Sequence, residues 1–313
     1  AMGALAEDQS LMQIEGLSEG EPNYRRACRP FSENSGFTLS EGTQFFILMD
    51  DALALEMGAS IHGSVADVFV SADGFKKSIP GPGIGNYLTI GKSLGLLRSI
   101  LDEDALRNQT YIHAHGTGTP QNRVTESHII NELAREFGIA RWPVAAIKCY
   151  LGHSLASASG DQLAAALGVW EEGIIPGIRT IDQIADDVHA SHADFLLDHR
   201  DVGKSFIKAA IINAKGFGGN NASASILSPD VTMEIIAKRH GKKSVKAHQG
   251  LNQAVREASA QYDADCIAGK TAPIYNFGKE VIDGAELNCS ASQISIPGYD
   301  CPIDLDIPNP FLD

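Results

Sequence analysis

Residues 110–120 read Thr-Tyr-Ile-His-Ala-His-Gly-Thr-Gly-Thr-Pro, an apolar run that leads directly into a turn of glycines and threonines. The pattern predicts a short buried strand at 110–114 and a tight turn after it. Strands are also predicted at 144–148, with Lys148 at the end and a second such turn at 148–154, and at 206–213, before a third turn at 216–221. Because open α/β sheets gather their active sites where strands end, we expect the three turns to form one site.

Helices and strands alternate around these turns. Apolar spacing predicts helices at 51–58, 86–101, 124–137 and 158–170, and further strands at 43–49, 61–71 and 222–227. This alternation indicates an α/β layer fold with a largely buried central sheet. The opening stretch to about Arg26 is predicted to be loop and a short helix. The periodicity weakens after Pro229, and residues 229–313 are predicted to form an appendage of short helices and irregular chain.

The composition excludes several classes of protein. The chain has 313 residues, 43% hydrophobic and 20% charged, which is typical of a soluble globular protein with a sizeable core. No apolar run approaches the roughly 18 residues of a membrane helix, so no membrane span is predicted. The formal net charge of −14 argues against a nucleic-acid partner, since phosphate contacts need a basic face.

The five cysteines are scattered and form no C-x-x-C pair, so neither a disulfide framework nor a zinc site is predicted. This usage favours a reducing, cytoplasmic location. The cysteines are Cys28, Cys149, Cys266, Cys289 and Cys301.

A single histidine or a single Gly-rich loop is a weak signal. Most of the ten histidines are expected to have no catalytic role. The Gly216-Phe-Gly-Gly turn leads into a strand rather than a helix N-terminus, which argues against phosphate binding.

The combination of motifs is specific. His115-Gly-Thr-Gly-Thr-Pro, Glu126, Lys148 with Gly152-His153-Ser154, and Gly216-Phe-Gly-Gly-Asn-Asn221 occur in one order along the chain. In that order and spacing they closely resemble the β-ketoacyl synthases of the thiolase superfamily. Arg29-Pro-Phe31, Gly36-Phe37 and Ser40-Glu-Gly42 match the same family upstream, so the resemblance spans about residues 28–228.

The resemblance implies a thiolase-like, layered α-β-α-β-α fold. Residues 1–60 would end the N-terminal half, residues 61–228 would form the C-terminal half, and residues 229–313 would be a C-terminal appendage. Strand 43–49 would belong to the sheet of the first half.

The resemblance also implies a reaction, decarboxylative Claisen condensation in fatty-acid or polyketide synthesis. In the family a cysteine holds the acyl chain as a thioester, and malonyl-acyl carrier protein loses CO₂ to form an enolate. Two neutral imidazole N–H donors would stabilise that enolate, and by motif these are His115 and His153. Lys148 would support the site electrostatically, and Glu126 would support the loop network.

The remaining positions assigned by resemblance bind substrate. Phe217 matches the family's gating phenylalanine, and its backbone N–H would form half of an oxyanion hole. The other substrate-binding positions are Thr117, Thr119 and Gly218. No metal or organic cofactor is expected beyond the phosphopantetheine arm of the acyl carrier protein.

The family's nucleophilic cysteine lies on a strand-to-helix turn in the N-terminal half, and no cysteine of this chain has that setting. Cys28 lies in a loop, and Cys149 in the lysine motif is predicted to be a buried packing residue. The chain is therefore predicted to be inactive alone. Its expected partners are acyl carrier protein, the remaining N-terminal half of the synthase and a second copy in a homodimer.

Three departures from the family pattern suggest a divergent branch. They are Gln121-Asn-Arg123 in a turn that often contains Asp, Asn220 where Thr is usual, and Asn34-Ser-Gly36 where Arg-Asp-Gly is common. Two alternatives are a non-catalytic partner subunit of the chain-length-factor type and a thiolase that uses free coenzyme A. Retention of both histidines and Lys148 argues against the first, and the paired-histidine motif argues against the second.

Overall fold

The computed structural model describes residues 27–34, 36–74, 83–271, 278–279 and 281–309. The loop and short helix predicted before Arg26 lie outside these residues. The helices are α1 (Asp51–Glu56), α2 (Gly85–Ile100), α3 (Glu103–Asn108), α4 (Pro120–Glu136), α5 (Lys148–Leu151), α6 (Ala158–Glu172) and α7 (Pro229–Ile267). The strands are β1 (Ser64–Ala72), β2 (Thr110–His113), β3 (Trp142–Ala145), β4 (Ile174–Ile175), β5 (Ala193–Phe195), β6 (Arg200–Asp201), β7 (Ala209–Gly216), β8 (Asn220–Leu227), β9 (Asn288–Cys289), β10 (Gln293–Ser295) and β11 (Ile303–Asp304).

A six-stranded sheet in the order β1-β8-β7-β2-β3-β5 forms the centre of residues 27–255. Strands β7, β2, β3 and β5 are parallel, whereas β8 and β1 run antiparallel to their neighbours. Because β7, β2 and β3 are adjacent and parallel, their carboxyl ends lie side by side at one edge. That edge carries the three predicted turns.

Helices cover both faces of the sheet, as the sequence predicted. Along β2, Ile112 packs into a cluster with Leu94 of α2 and Ile130 of α4. The neighbouring Tyr111 points to the other face, into a cluster with Trp170 of α6. Alternate residues of a strand point to opposite faces, so a four-residue strand in which every residue is buried must be covered on both sides.

Residues 43–49 were expected to form a buried strand, and this prediction is wrong for the chain described. The stretch is not assigned to a strand, and Phe45, Ile47 and Leu48 are largely exposed. Apolar and aromatic composition favours a strand only where another strand is available to pair with it. Lys148 was likewise expected at the end of a strand, but it is the first residue of α5.

Residues 229–267 were expected to contain only short helices, and this is also wrong. They form α7, two helical segments that meet at Gly241, where φ +81° and ψ 158° are not helical, and the segment after Gly241 runs on to Ile267. The stretch is rich in Ala, Lys and Gln, which are strong helix formers, so it needs no continuous apolar stripe to be helical. Before residue 255, His248 Nε2 lies 2.9 Å from Ala59 O and Asn252 Nδ2 donates to Gly58 O at 3.0 Å.

Residues 256–313 form a second compact unit. Its described part contains the end of α7, a short 3₁₀ helix at Gly284–Glu286 and the antiparallel sheet β11-β10-β9. A capping box between Asp283 and Glu286 stabilises the N-terminus of the 3₁₀ helix.

Across the chain segments that the structure describes, no helix combines the length and apolar content that crossing a bilayer requires.

Candidate active site

The first turn begins where β2 ends and carries His115. Gly116 has φ +51°, and a Cβ atom there would lie 2.7 Å from Ala146 Cβ. Only glycine takes this left-handed conformation without strain and lets the neighbouring chain come so close. Position 116 therefore requires glycine, and the tight turn that it allows sets the direction of the His115 imidazole.

Glu126 holds this turn from helix α4. Its Oε1 accepts hydrogen bonds from His115 N at 2.7 Å and from Asn213 Nδ2 at 2.7 Å. Its Oε2 accepts from Gly116 N at 2.9 Å and from Asn122 Nδ2 at 2.9 Å. The side chain is fully buried, and the four hydrogen bonds from these donors replace the hydrogen bonds that the carboxylate would make to water.

The His115 ring is buried and its tautomer follows from its contacts. Nδ1 lies 3.3 Å from the backbone N of Lys215, an N–H group that can only donate. The proton of the neutral ring is therefore on Nε2. Burial, reinforced by the charge of Lys148, holds the pKa of His115 well below its usual range.

The second turn carries His153 and is held by the segment that precedes α1. His153 N donates to Thr38 O at 2.7 Å, and Ser40 N donates to His153 O at 3.2 Å. Gly152 has φ +71°, and a Cβ there would lie 2.9 Å from Thr38 O. The motif match at Ser40-Glu-Gly42 thus has a structural reason, because this segment pairs with the turn.

His153 has the same tautomer as His115. Leu155 N donates to His153 Nδ1 at 3.1 Å, which leaves the ring proton on Nε2. Desolvation, with a smaller contribution from the charge of Lys148, lowers the pKa of His153 to about 4. At neutral pH both rings are uncharged N–H donors.

The two imidazoles lie together. Their ring centroids are 5.3 Å apart and the rings are nearly perpendicular, at 82°. Phe37 packs against the other side of His153, with ring centroids 5.5 Å apart. The structure therefore brings together the two histidines that the sequence singled out.

Lys148 lies behind the pair. Its Nζ donates to the backbone O of His115 at 2.7 Å, and the side chain is buried. Desolvation lowers its pKa to about 8, against the opposing effect of the Glu126 charge. A cation in this place disfavours protonation of either imidazole.

The four positions that the sequence predicts to bind substrate lie on the first and third turns. Thr117 Oγ1 and Thr119 Oγ1 are 2.9 Å apart, just before Pro120 begins α4. Phe217 begins a 3₁₀ turn directly after β7, and its side chain is 52% exposed. Gly218 has φ +80°, which favours glycine at this position.

Three residues of the site were not singled out from the sequence, namely Asn122, Asn213 and Lys215. Asn213 and Lys215 lie on β7, a strand that otherwise presents apolar residues to the core. A polar side chain inside such a strand must find a hydrogen-bond partner, and that rule was the available signal.

Comparison with known proteins agrees with this geometry. Residues 63–182 match the family described as beta-ketoacyl synthase, C-terminal domain. The chain is 48% identical over 304 residues to beta-ketoacyl-[acyl-carrier-protein] synthase FabY of Pseudomonas aeruginosa, an alignment that covers 97% of this chain and 47% of FabY. Residues 63–182 are a β-ketoacyl synthase C-terminal domain.

The ketosynthase resemblance extends to solved structures and to other relatives. The crystal structure of FabY matches with a TM-score of 0.87 and 46% identity, over 98% of this chain and 47% of FabY. The chain is also 30% identical over 203 residues to 3-oxoacyl-[acyl-carrier-protein] synthase 2 of Synechocystis, covering 63% of this chain and 45% of that protein. The thiolase-like ketosynthase fold predicted from the sequence is confirmed. The chain spans about half the length of these relatives.

The departure at Arg123 has a structural explanation in this chain. Arg123 Nε and Nη2 donate to the two carboxylate oxygens of Asp187 at 2.8 and 2.9 Å, and Nη1 donates to Ser32 O at 3.0 Å. Its charge is therefore matched by a carboxylate from another part of the chain, and it ties the first turn's helix to the segment around Ser32.

The five cysteines differ in burial, and Cys149 is buried as predicted. Cys28 and Cys149 are buried, and Cys266, Cys289 and Cys301 are exposed. Desolvation raises the pKa of Cys28 to about 11, against the opposing charge of Lys148, and that of Cys149 to about 12. A buried thiol with a raised pKa is a poor nucleophile, because the thiolate is the reactive species.

Proposed function

We propose that this chain supplies the histidine half of the active site of a β-ketoacyl synthase that condenses an acyl thioester with malonyl-acyl carrier protein. The observation that carries the proposal is the pair of neutral imidazoles. Both Nδ1 atoms accept a backbone N–H, so both rings present an Nε2–H donor, with ring centroids 5.3 Å apart.

The arrangement suits a decarboxylation that generates an enolate. When the malonyl group loses CO₂, the electron pair of the broken C–C bond delocalises onto the thioester oxygen. The Nε2–H groups of His115 and His153 would donate to that oxygen as its charge develops. The enolate carbon then attacks the acyl thioester carbonyl, and the cysteine thiolate leaves. One preorganised donor of this kind contributes about 3 kcal/mol to transition-state stabilisation.

The supporting residues have separate roles in this proposal. Lys148 holds the backbone of His115, and its charge adds to the effect of burial in keeping both imidazoles unprotonated, while Glu126 fixes the turn. Thr117, Thr119, Phe217 and Gly218 would contact the substrate arm. The proposal requires no metal or organic cofactor beyond the carrier's phosphopantetheine, which is consistent with the acyl-carrier-protein in the name of the FabY relative.

We infer that the nucleophilic cysteine and the rest of the first half lie outside this chain. The raised pKa values of Cys28 and Cys149 support this, as does the exposed run containing Phe45, Ile47 and Leu48. A contiguous apolar surface of this kind marks an interaction site. On this proposal residues 1–60 complete the N-terminal half, and the isolated chain is inactive. The whole enzyme would be a cytoplasmic homodimer.

The test is His153→Ala in the full synthase, with CO₂ release from malonyl-acyl carrier protein as the assay. Loss of one preorganised donor should lower kcat by roughly 10²- to 10³-fold. His62→Ala, at an exposed histidine outside the site, is the matched control and should behave like wild type. Unchanged CO₂ release from the His153 variant would exclude the enolate-stabilising role. A wild-type protein that binds a partner synthase but releases no CO₂ would instead favour the chain-length-factor reading.

A further inference from the structure

A network of buried amides and hydroxyls lies behind Glu126. Asn213 of β7 donates from Nδ2 to Glu126 Oε1 at 2.7 Å and to Asn86 Oδ1 at 3.2 Å. Its Oδ1 accepts from Asn86 Nδ2 at 2.7 Å and from Ser223 Oγ at 3.0 Å. Thr89 Oγ1 lies 2.9 Å from Ser223 Oγ and completes the group. All of these side chains are buried.

The network determines which way the Asn213 amide points. Glu126 Oε1 can only accept a hydrogen bond, so the Asn213 group that faces it is Nδ2. Oδ1 must then face Asn86 Nδ2 and Ser223 Oγ. An amide turned the other way would point its oxygen at the Glu126 carboxylate oxygen in a buried site, which is costly.

The backbone at this position is also held. Gln162 Nε2 from α6 donates to Asn213 O at 3.1 Å and to Ala114 O at 2.8 Å, linking β7 to the start of the His115 turn. The Asn213 backbone is therefore held by Gln162, and its side-chain amide donates to Glu126.

We propose that Asn213 is a positioning residue of the active site: it fixes the Glu126 carboxylate that holds the His115 turn, and Asn86 and Ser223 fix Asn213. This inference rests on the proposed function for its kinetic consequence, although the geometric relation does not depend on it. Four elements, α2, β8, β7 and α4, thereby converge on the backbone that aims His115. The network touches neither imidazole, so its effect on the reaction must pass through Glu126.

The test uses Asn213→Asp, which keeps the shape and replaces the donor by a carboxyl group. At low pH the two adjacent carboxyl groups share one proton, which can bridge the new group to Glu126. As the pH rises, that proton is lost and two carboxylates face each other. The nearby charged groups are Lys148, Lys215 and, if protonated, His115. The lysines lower the pH at which the proton leaves but do not remove the repulsion.

In the full synthase, kcat for malonyl decarboxylation by the variant should fall with rising pH, toward roughly 10²-fold below wild type, with KM little changed. Asn131→Asp is the matched control, because Asn131 is also buried on α4 but accepts from Ser191 and His192 rather than contacting Glu126. Its pH profile should follow wild type.

A readout independent of catalysis accompanies the kinetics. Amide hydrogen exchange at His115 and Gly116 and the ¹⁵N signals of the His115 ring report whether the turn has moved. In Asn213→Asp, exchange should accelerate and the ring should populate both tautomers at high pH only. If the unfolded fraction of this variant is large, Ser223→Ala, which removes one donor to Asn213, should show the same changes to a smaller extent. Wild-type-like exchange, ring signals and pH profile in a folded variant would overturn the proposal. If the wild-type synthase releases no CO₂ but Asn213→Asp still shows altered exchange, the positioning role of Asn213 stands and the proposed reaction is rejected.

Discussion

Glu126→Gln is expected to destabilise the protein at one identifiable hydrogen bond. The substitution turns one of the two carboxylate oxygens into an NH₂ group, which must face two of the four donors around it. On the Oε1 side those donors are His115 N and Asn213 Nδ2, and neither has an alternative, because the buried network orients Asn213. On the Oε2 side, Asn122 can turn its amide over, since no described group donates to its Oδ1.

The new NH₂ group should therefore take the Oε2 position and donate to a reoriented Asn122. One hydrogen bond is then lost, from Gly116 N. A buried hydrogen bond to a charged acceptor contributes about 1.5–3 kcal/mol, so the free energy of unfolding should fall by that amount. Lys148 also loses the negative charge that most favours its protonated form, which destabilises the folded protein further.

The assay is urea unfolding of the full synthase, together with amide exchange at the first turn. Glu136→Gln is the control on the same helix, since its side chain is 66% exposed and ion pairs at such positions contribute about 0–1 kcal/mol. In Glu126→Gln the Gly116 amide should lose protection while the His115 amide keeps it. A variant as stable as the control, or one in which His115 rather than Gly116 loses protection, would refute the reasoning.

Two further predictions concern the two turns. Because the pKa of His153 is lowered to about 4, malonyl decarboxylation should persist below the ordinary histidine pKa of 6.5 and be lost as the pH falls through about 4. Because the pKa is lower in the folded state, the unfolded chain binds more protons between pH 6.5 and about 4, so the melting temperature should fall as the pH decreases through this range. A decarboxylation midpoint near pH 6.5 would contradict the prediction for activity. Gly116→Ala should cost about 1–3 kcal/mol of stability through left-handed backbone strain alone, with added crowding against Ala146. The control Gly95→Ala should stabilise helix α2 slightly, because a Cβ there would meet nothing within 4 Å. Equal melting temperatures for the two variants would disprove the prediction.

Local patterns were sufficient for most elements of the ketosynthase fold. Strands β2, β3 and β7 are short buried runs that end in Gly-rich turns, and both the runs and the glycines are properties of neighbouring residues. Gly116 and Gly152 are needed because their φ angles are positive, a requirement that a motif of adjacent residues can record. The order of the motifs then identified the family, and with it the two histidines.

The strand predicted at 43–49 and the helix missed at 229–267 show where local patterns were insufficient. The first stretch has the composition of a strand, but a strand exists only where it pairs, and pairing involves distant residues. The second lacks an apolar stripe, yet it contains many strong helix formers, and within residues 229–267 only Gly241 has non-helical backbone angles.

The sequence by itself predicted the family and the turns, and it singled out His115, His153, Lys148 and Glu126 as candidate site residues. Only the tertiary structure decided how these groups are held. The proton of each ring is placed on Nε2 by a backbone N–H group, which for His115 comes from Lys215, 100 residues away. The Glu126 carboxylate is oriented by Asn213, 87 residues away. Such contacts depend on distances between side chains that meet only when the sheet assembles, and no spacing along the chain records them.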